Sequence, residues 1–228
     1  LMSFNVGKCC IMSVTLKRKI THFDYKLHGD PLDRVSDTKY LGVTIDSKLC
    51  WNKHISDVCS KANRTLGLVK RNLKYAPENI KERAYQTLVR PLVEYSCTVW
   101  DPYTKGNIQK LEMVQRRAAR YTLNRYHDRS SVTDMLTHLE WEPLQTRRLH
   151  FKLCMVYKSI HGIACVPIYE YLEPKPRMTK HNLQFLMPNT RVDCYKYSFF
   201  PSIVSPWNNL SREIVSSNTY SQFKGRLR

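Results

Sequence analysis

Acidic residues never gather in this chain. Its 19 Asp and Glu are scattered through 228 residues, with no DD, DxD or ExD cluster. Phosphoryl transfer through two metal ions needs close-set carboxylates holding the ions about 3.5–4 Å apart, so no such centre is nominated. The eight histidines show neither HExxH nor HxH spacing. Seven glycines leave little for phosphate-cradling loops, and no P-loop, GxGxxG or nucleophile elbow occurs. Eight cysteines include no CxxC and no zinc-ligand spacing with histidine. With no secretory signal, reduced thiols and an intracellular location, nucleus or cytoplasm, are expected. No run of 18 apolar residues exists, so no membrane span is expected either. The residues nominate no catalytic group, no metal ligand and no small-molecule site.

What is present is positive charge. Lys and Arg number 37, giving a net charge of +18. Residues 1–60 carry 9 basic and 6 acidic groups, residues 61–120 carry 13 and 5, and residues 121–228 carry 15 and 8. Such an imbalance points to a polyanionic partner. Hydrophobic content of 42% fits a globular protein.

Patterning gives an α+β fold, mainly α. Residues 1–45 read as strands and turns: Cys10 to Leu16 is rich in β-formers, and Asp24 to Leu32 resembles a hairpin turning at His28-Gly29-Asp30-Pro31. Tyr40 to Ile45 reads as a further short strand, with Gly42 marking a bulge or close approach. From Trp51 the period changes. Ile55, Val58, Cys59, Ala62, Leu66 and Val69 predict a helix over about 52–73. Ile80, Ala84, Leu88, Leu92 and Tyr95 predict a second apolar stripe, bent at Pro91, where Arg90 and Glu94 fall on one face. Ile108, Leu111, Val114, Ala118 and Tyr121 predict a third helix over about 105–124, and three such helices can pack as a bundle. Ser131 with Asp134 predicts a helix start. Pro143 opens a longer helix in which Leu144, Phe151, Met155 and Ile160 alternate with basic residues, with Gly162 as its C-terminal cap. Residues 173–194 read as a loop.

The cations on these helices are the candidate binding residues: Lys61, Arg64, Lys70 and Arg71 on the first, and Lys105, Lys110, Arg116, Arg117 and Arg120 on the third. Guanidinium and ammonium groups on helix faces suit phosphate oxygens, which makes nucleic acid the expected partner. Trp51, Tyr85, Tyr95, Trp100 and Trp207 are expected in the core.

An ordered series of landmarks runs the length of the chain: FNxxKC (Phe4, Asn5, Lys8, Cys9), KYLGVTID (Lys39 to Asp46), LxWxxHI (Leu49 to Ile55), LVRPLVEYxxxVW (Leu88 to Trp100), LExVQRRAAR (Leu111 to Arg120), LxWxPLxxRR (Leu139 to Arg148), then FFP, WN and FK at Phe199 to Pro201, Trp207-Asn208 and Phe223-Lys224. This order resembles jockey-type non-LTR retrotransposon reverse transcriptases. The resemblance implies three parts: 1–48, the end of a palm with a primer-grip-like hairpin; 49–126, a helical thumb-like bundle; and 127–228, a C-terminal region. It implies that Lys8 lies near the incoming nucleotide and that Tyr40, Leu41, Gly42 and Val43 form the primer grip. The family's metal-binding aspartates lie upstream of FNxxKC, so Mg²⁺ is expected only for an intact polymerase and this chain, starting at Leu1, reads as a fragment inactive by itself. The alternative is a stand-alone basic helical nucleic-acid-binding module, or a scaffold protein unrelated to polymerisation. Oligomeric state is not legible.

Overall fold

The computed structural model describes residues 4–15, 17–19, 21, 23–127, 131–177 and 179–227. The chain is α+β and mainly α, and it divides into two compact units, Leu1–Ser56 and Asp57–Arg228.

In the first unit the β-formers make three separate two-stranded pairings. β1 (Cys10–Ile11) pairs in parallel with β4 (Asp33–Arg34), and β2 (Lys26–Leu27) pairs antiparallel with β3 (Asp30–Pro31). The strand expected from Cys10 to Leu16 is therefore two residues long, with Leu16 outside the described residues. The expected hairpin is present: His28 and Gly29, both at positive φ, make the turn that matches strand twist. β5 (Asp37–Tyr40) and β6 (Val43–Asp46) form the longest ladder, with Tyr40 opposite Val43. Tyr40 to Ile45 is consequently no single strand, because Leu41 and Gly42 (φ 45° and 86°) reverse the chain between them. Helix α1 (Asn52–Asn72) starts in this unit, where the Thr44 N–H donates to Nδ1 of buried His54 at 3.2 Å.

In the second unit the predicted helices form, with one displacement. The second helical stretch is α2 (Glu78–Ala84), a wide π turn (Tyr85–Val89), α3 (Arg90–Glu94) and α4 (Cys97–Trp100). Pro91 lacks an N–H, and its ring crowds the carbonyl four residues back, which a regular helix cannot absorb. The π turn absorbs it by admitting an extra residue, with the Arg90 N–H reaching the Tyr85 carbonyl. The inward stripe therefore becomes Ala84, Tyr85, Val89, Val93, Cys97 and Trp100. The expected Ile80, Leu88 and Tyr95 are exposed instead. Ser96, in the left-handed region at φ 51°, separates α3 from α4, and the Trp100 indole closes the break by donating to the Tyr95 carbonyl at 2.8 Å.

α5 (Lys105–Thr122) buries Leu111, Val114, Ala118 and Tyr121 as its period requires. α6 (Val132–His138) starts at Ser131, whose hydroxyl accepts the Asp134 N–H. α7 (Leu144–Ile160) ends on Gly162 at φ 66°, with Ile163 N–H to Lys158 carbonyl (2.8 Å) and Gly162 N–H to Ser159 carbonyl (3.3 Å) satisfying its last turn. Its buried face is not purely apolar. Arg148 and Lys152 are buried, Phe151 is exposed, and Met155 and Ile160 are half-buried.

Short helices complete the unit: α8 (Ile168–Tyr171), α9 (Asp193–Lys196), α10 (Phe199–Asn208), α11 (Arg212–Val215) and α12 (Tyr220–Arg226). Their core gathers Tyr157, Ile168, Phe185, Ile203, Trp207 and Phe223 among others. The loop over 173–194 is tied to it by Trp207-Asn208. The Trp207 indole donates to the Leu183 carbonyl (2.7 Å), and the Asn208 amide exchanges two hydrogen bonds with the Phe185 backbone (2.9 and 2.8 Å).

Candidate nucleic-acid interface

Lys61, Arg64 and Arg71 are exposed on α1, as are Lys105, Lys110, Arg116 and Arg117 on α5; Lys70 and Arg120 are half-buried. Arg120 thus departs from the fully outward position its spacing predicts. Three of the nine converge where α1 meets α5. Arg117 donates to the Asn63 side chain at 3.1 Å. Lys70 lies 5.8 Å from the Tyr121 ring centre and 6.0 Å from that of Tyr126. Its pKa is lowered from the usual lysine value, first by burial and then by repulsion from Arg117. Burial raises the Cys59 thiol between these helices, while Lys110, Arg117 and Arg148 oppose that rise. Lys105 and Arg120 mark the two ends of α5, about 22 Å apart along its axis at 1.5 Å per residue.

None of the nine cations forms an ion pair with a carboxylate among the described residues. The acids are engaged elsewhere, between helices. Glu94 receives the Arg147 guanidinium through two contacts and lies 3.9 Å from Arg90, the pair expected from their spacing. Asp101 accepts from Arg148 at 2.8 Å and from Lys152 at 3.1 Å. Glu112 caps α7 by accepting the Leu144 and Gln145 N–H groups (3.2 and 2.8 Å), where a helix dipole favours negative charge. Glu82 accepts from the Trp141 indole at 3.0 Å. These four carboxylates are thus engaged within the fold, while most of the nine cations on α1 and α5 stay exposed.

The same bonds explain two sequence landmarks. LVRPLVEYxxxVW supplies Glu94 and LxWxPLxxRR supplies Arg147, which clasp each other; Arg148 of the second closes on Asp101, just beyond Trp100 of the first. WN ties down a loop. Sequence reasoning missed these roles because the partners lie about 50 residues apart, and no local spacing reports them.

The four residues of the proposed primer grip occupy the β5–β6 hairpin, with Tyr40 and Leu41 at its exposed tip (65% and 74% accessible) and Val43 buried. Lys8 ends a single 3₁₀ turn, Val6–Lys8, and is exposed. Among the described residues, no three of His, Cys, Asp and Glu come together to hold a metal ion. The described residues thus do not fit the magnesium pair of a polymerase. No helix is long and apolar enough to cross a membrane among the described residues. All eight cysteines are free thiols.

These features describe a basic, helix-rich protein with exposed cations on α1 and α5. Comparison with known proteins adds its kinship. The chain is 25% identical over 166 residues to a probable RNA-directed DNA polymerase from transposon X-element of Drosophila melanogaster, covering 70% of this chain and 16% of that protein. It is 28% identical over 98 residues to the probable RNA-directed DNA polymerase from transposon BS of the same organism, covering 42% and 11%. It is also 26% identical over 124 residues to an uncharacterized protein of Caenorhabditis elegans, B0403.1, covering 54% and 61%. No family model and no solved structure matches. The two polymerase likenesses support a distant relationship to the reverse transcriptases of transposons.

Proposed function

We propose that this chain corresponds to the C-terminal part of a jockey-type non-LTR retrotransposon reverse transcriptase and serves to grip a template–primer duplex, RNA–DNA or DNA. In this reading residues 1–48 are the end of the palm, 49–126 the thumb and 127–228 a C-terminal region. The β5–β6 hairpin tip, Tyr40 to Val43, holds the primer end, and Lys8 faces the nucleotide. The catalytic carboxylates belong to a preceding part of the enzyme. The observation that carries the proposal is the unneutralised set of nine cations on α1 and α5 beside acids already bonded within the fold.

Phosphate contact by these cations accounts for binding without base selection, because the backbone is common to all sequences. The test is a triple substitution of Arg116, Arg117 and Arg120 by Gln, read by fluorescence anisotropy on a labelled RNA–DNA duplex. Affinity should fall and the slope of log K against log salt should shrink by about two to three units. Stability should fall only slightly, by about 1 kcal/mol or less, since Arg116 and Arg117 are exposed while half-buried Arg120 and the Arg117–Asn63 hydrogen bond contribute modestly. Unchanged affinity would remove α5 from the interface.

A further inference from the structure

Away from the α1–α5 surface, α3, α7 and α12 enclose a pocket of about 250 Å³ whose lining includes Arg90, Glu142, Arg147, His150, Phe151 and Lys224. We propose that this pocket binds a small phosphate monoester, a site separate from the duplex-gripping cations and independent of that reading.

The charge count sets the ligand's sign. Arg90, Arg147 and Lys224 face Glu142 in the lining and Glu94 just behind it, leaving one positive charge over even before His150 is considered. Arg147 is held by Glu94, which fixes its position. Arg90 is not satisfied in this way. Its guanidinium makes no hydrogen bond among the described residues, and its one ion pair, to Glu94, is loose at 3.9 Å. Burial and repulsion from Arg147 both disfavour its charged form, and an incoming anion would offset them. Lys224 has no carboxylate within ion-pair distance among the described residues. His150 approaches Glu142 through Nδ1 at 3.7 Å.

Size and chemistry then narrow the class. A phosphate monoester is an anion with three acceptor oxygens, carrying about −1.5 to −2 charge at neutral pH; its sign answers the surplus and its oxygens suit the forked donors of Arg90. Drug-sized ligands occupy pockets of roughly 300–1,000 Å³, so 250 Å³ suits a phosphate with one small organic group. Phe151, partly exposed in the lining, offers that group an apolar face. The phosphate can come from a free mononucleotide or from the 5′ end of a strand.

Isothermal titration of the full chain with adenosine 5′-monophosphate tests the assignment. Saturable binding is expected, adenosine should not bind, and Lys224→Gln or Arg90→Gln should weaken binding about tenfold or more. Glu142→Gln should tighten it several-fold, because it removes the lining carboxylate. The Arg116, Arg117 and Arg120 triple variant should bind the monophosphate as the unaltered chain does. Lys224 is exposed on α12, so its variant should keep the parent melting temperature, and it decides the matter should Arg90→Gln unfold. A 5′-phosphorylated dinucleotide that competes, beside a 5′-hydroxyl one that does not, assigns the site to strand ends; competition by the mononucleotide alone assigns it to free ligand. No saturation at millimolar concentration, equal binding of adenosine, or affinity indifferent to all three single variants would overturn the proposal.

Discussion

At Asp101 one carboxylate faces two buried cations, Arg148, whose side chain has no exposure, and Lys152. Lys152 also donates to the Ser202 hydroxyl at 2.7 Å, joining α7 to α10. Removing a charge from such a group costs more than forming the pair gains, because the survivors stay buried without compensation. Asp101→Ala should therefore destabilise the second unit by about 3–5 kcal/mol in urea unfolding, and a loss under about 1 kcal/mol would mean that water reaches the cluster. His181 is a second exacting residue. Its Nε2 donates to the Trp207 carbonyl (3.1 Å), and its Nδ1 accepts from the Leu183 N–H (3.2 Å), which requires the neutral ring. Burial lowers its pKa below the usual value near 6.5. The unfolded chain thus takes up this proton first as pH falls. The histidine's contribution is complete above about pH 6.5 and declines below it. Urea midpoints measured from pH 7.5 to 5 should drop less steeply in His181→Gln than in the parent. Nothing in the local sequence marks Arg148 and Lys152 as buried. Charge alone does not reveal burial when the compensating carboxylate is 47 or 51 residues away.

Helices were legible where a single period ran unbroken, as in α5, where four of the five expected inward residues are buried and Ile108, in the first turn, is half-buried. Legibility ended at Pro91. The proline was visible and a bend was expected, but the π turn it provokes shifts the stripe by one position, exchanging Leu88 for Val89. Apolar identity could not arbitrate, since both residues are equally hydrophobic. The strands suffered from shortness: with two to four residues each, register depended on turns, and the Leu41-Gly42 reversal was hidden inside an apparently continuous β-run. Gly162 tests this level directly. Nothing lies within 4 Å of where its β-carbon would sit, so only backbone strain opposes Gly162→Ala. At φ 66° that strain should cost about 1–2 kcal/mol, read as a lower urea midpoint without change of slope. A neutral result would mean that α7 ends without its glycine cap.

Around α1 and α5, four carboxylates and seven cations meet different fates. Carboxylates of Glu82, Glu94, Asp101 and Glu112 are consumed between helices, while Lys61, Arg64, Arg71, Lys105, Lys110, Arg116 and Arg117 stay exposed. Composition announced the excess, but only the tertiary bonds reveal which charges are cancelled. Two landmarks, LVRPLVEYxxxVW and LxWxPLxxRR, hold helices together through Glu94 with Arg147. The central claim is that this scaffold presents unpaired cations to phosphates. The most direct measurement is the affinity of the full chain for an RNA–DNA duplex from 50 to 200 mM salt. If six or more phosphates are neutralised, log K should fall linearly with log salt at a slope of about −5 or steeper, weakening affinity by about a thousandfold. A flat profile over that range would contradict the account.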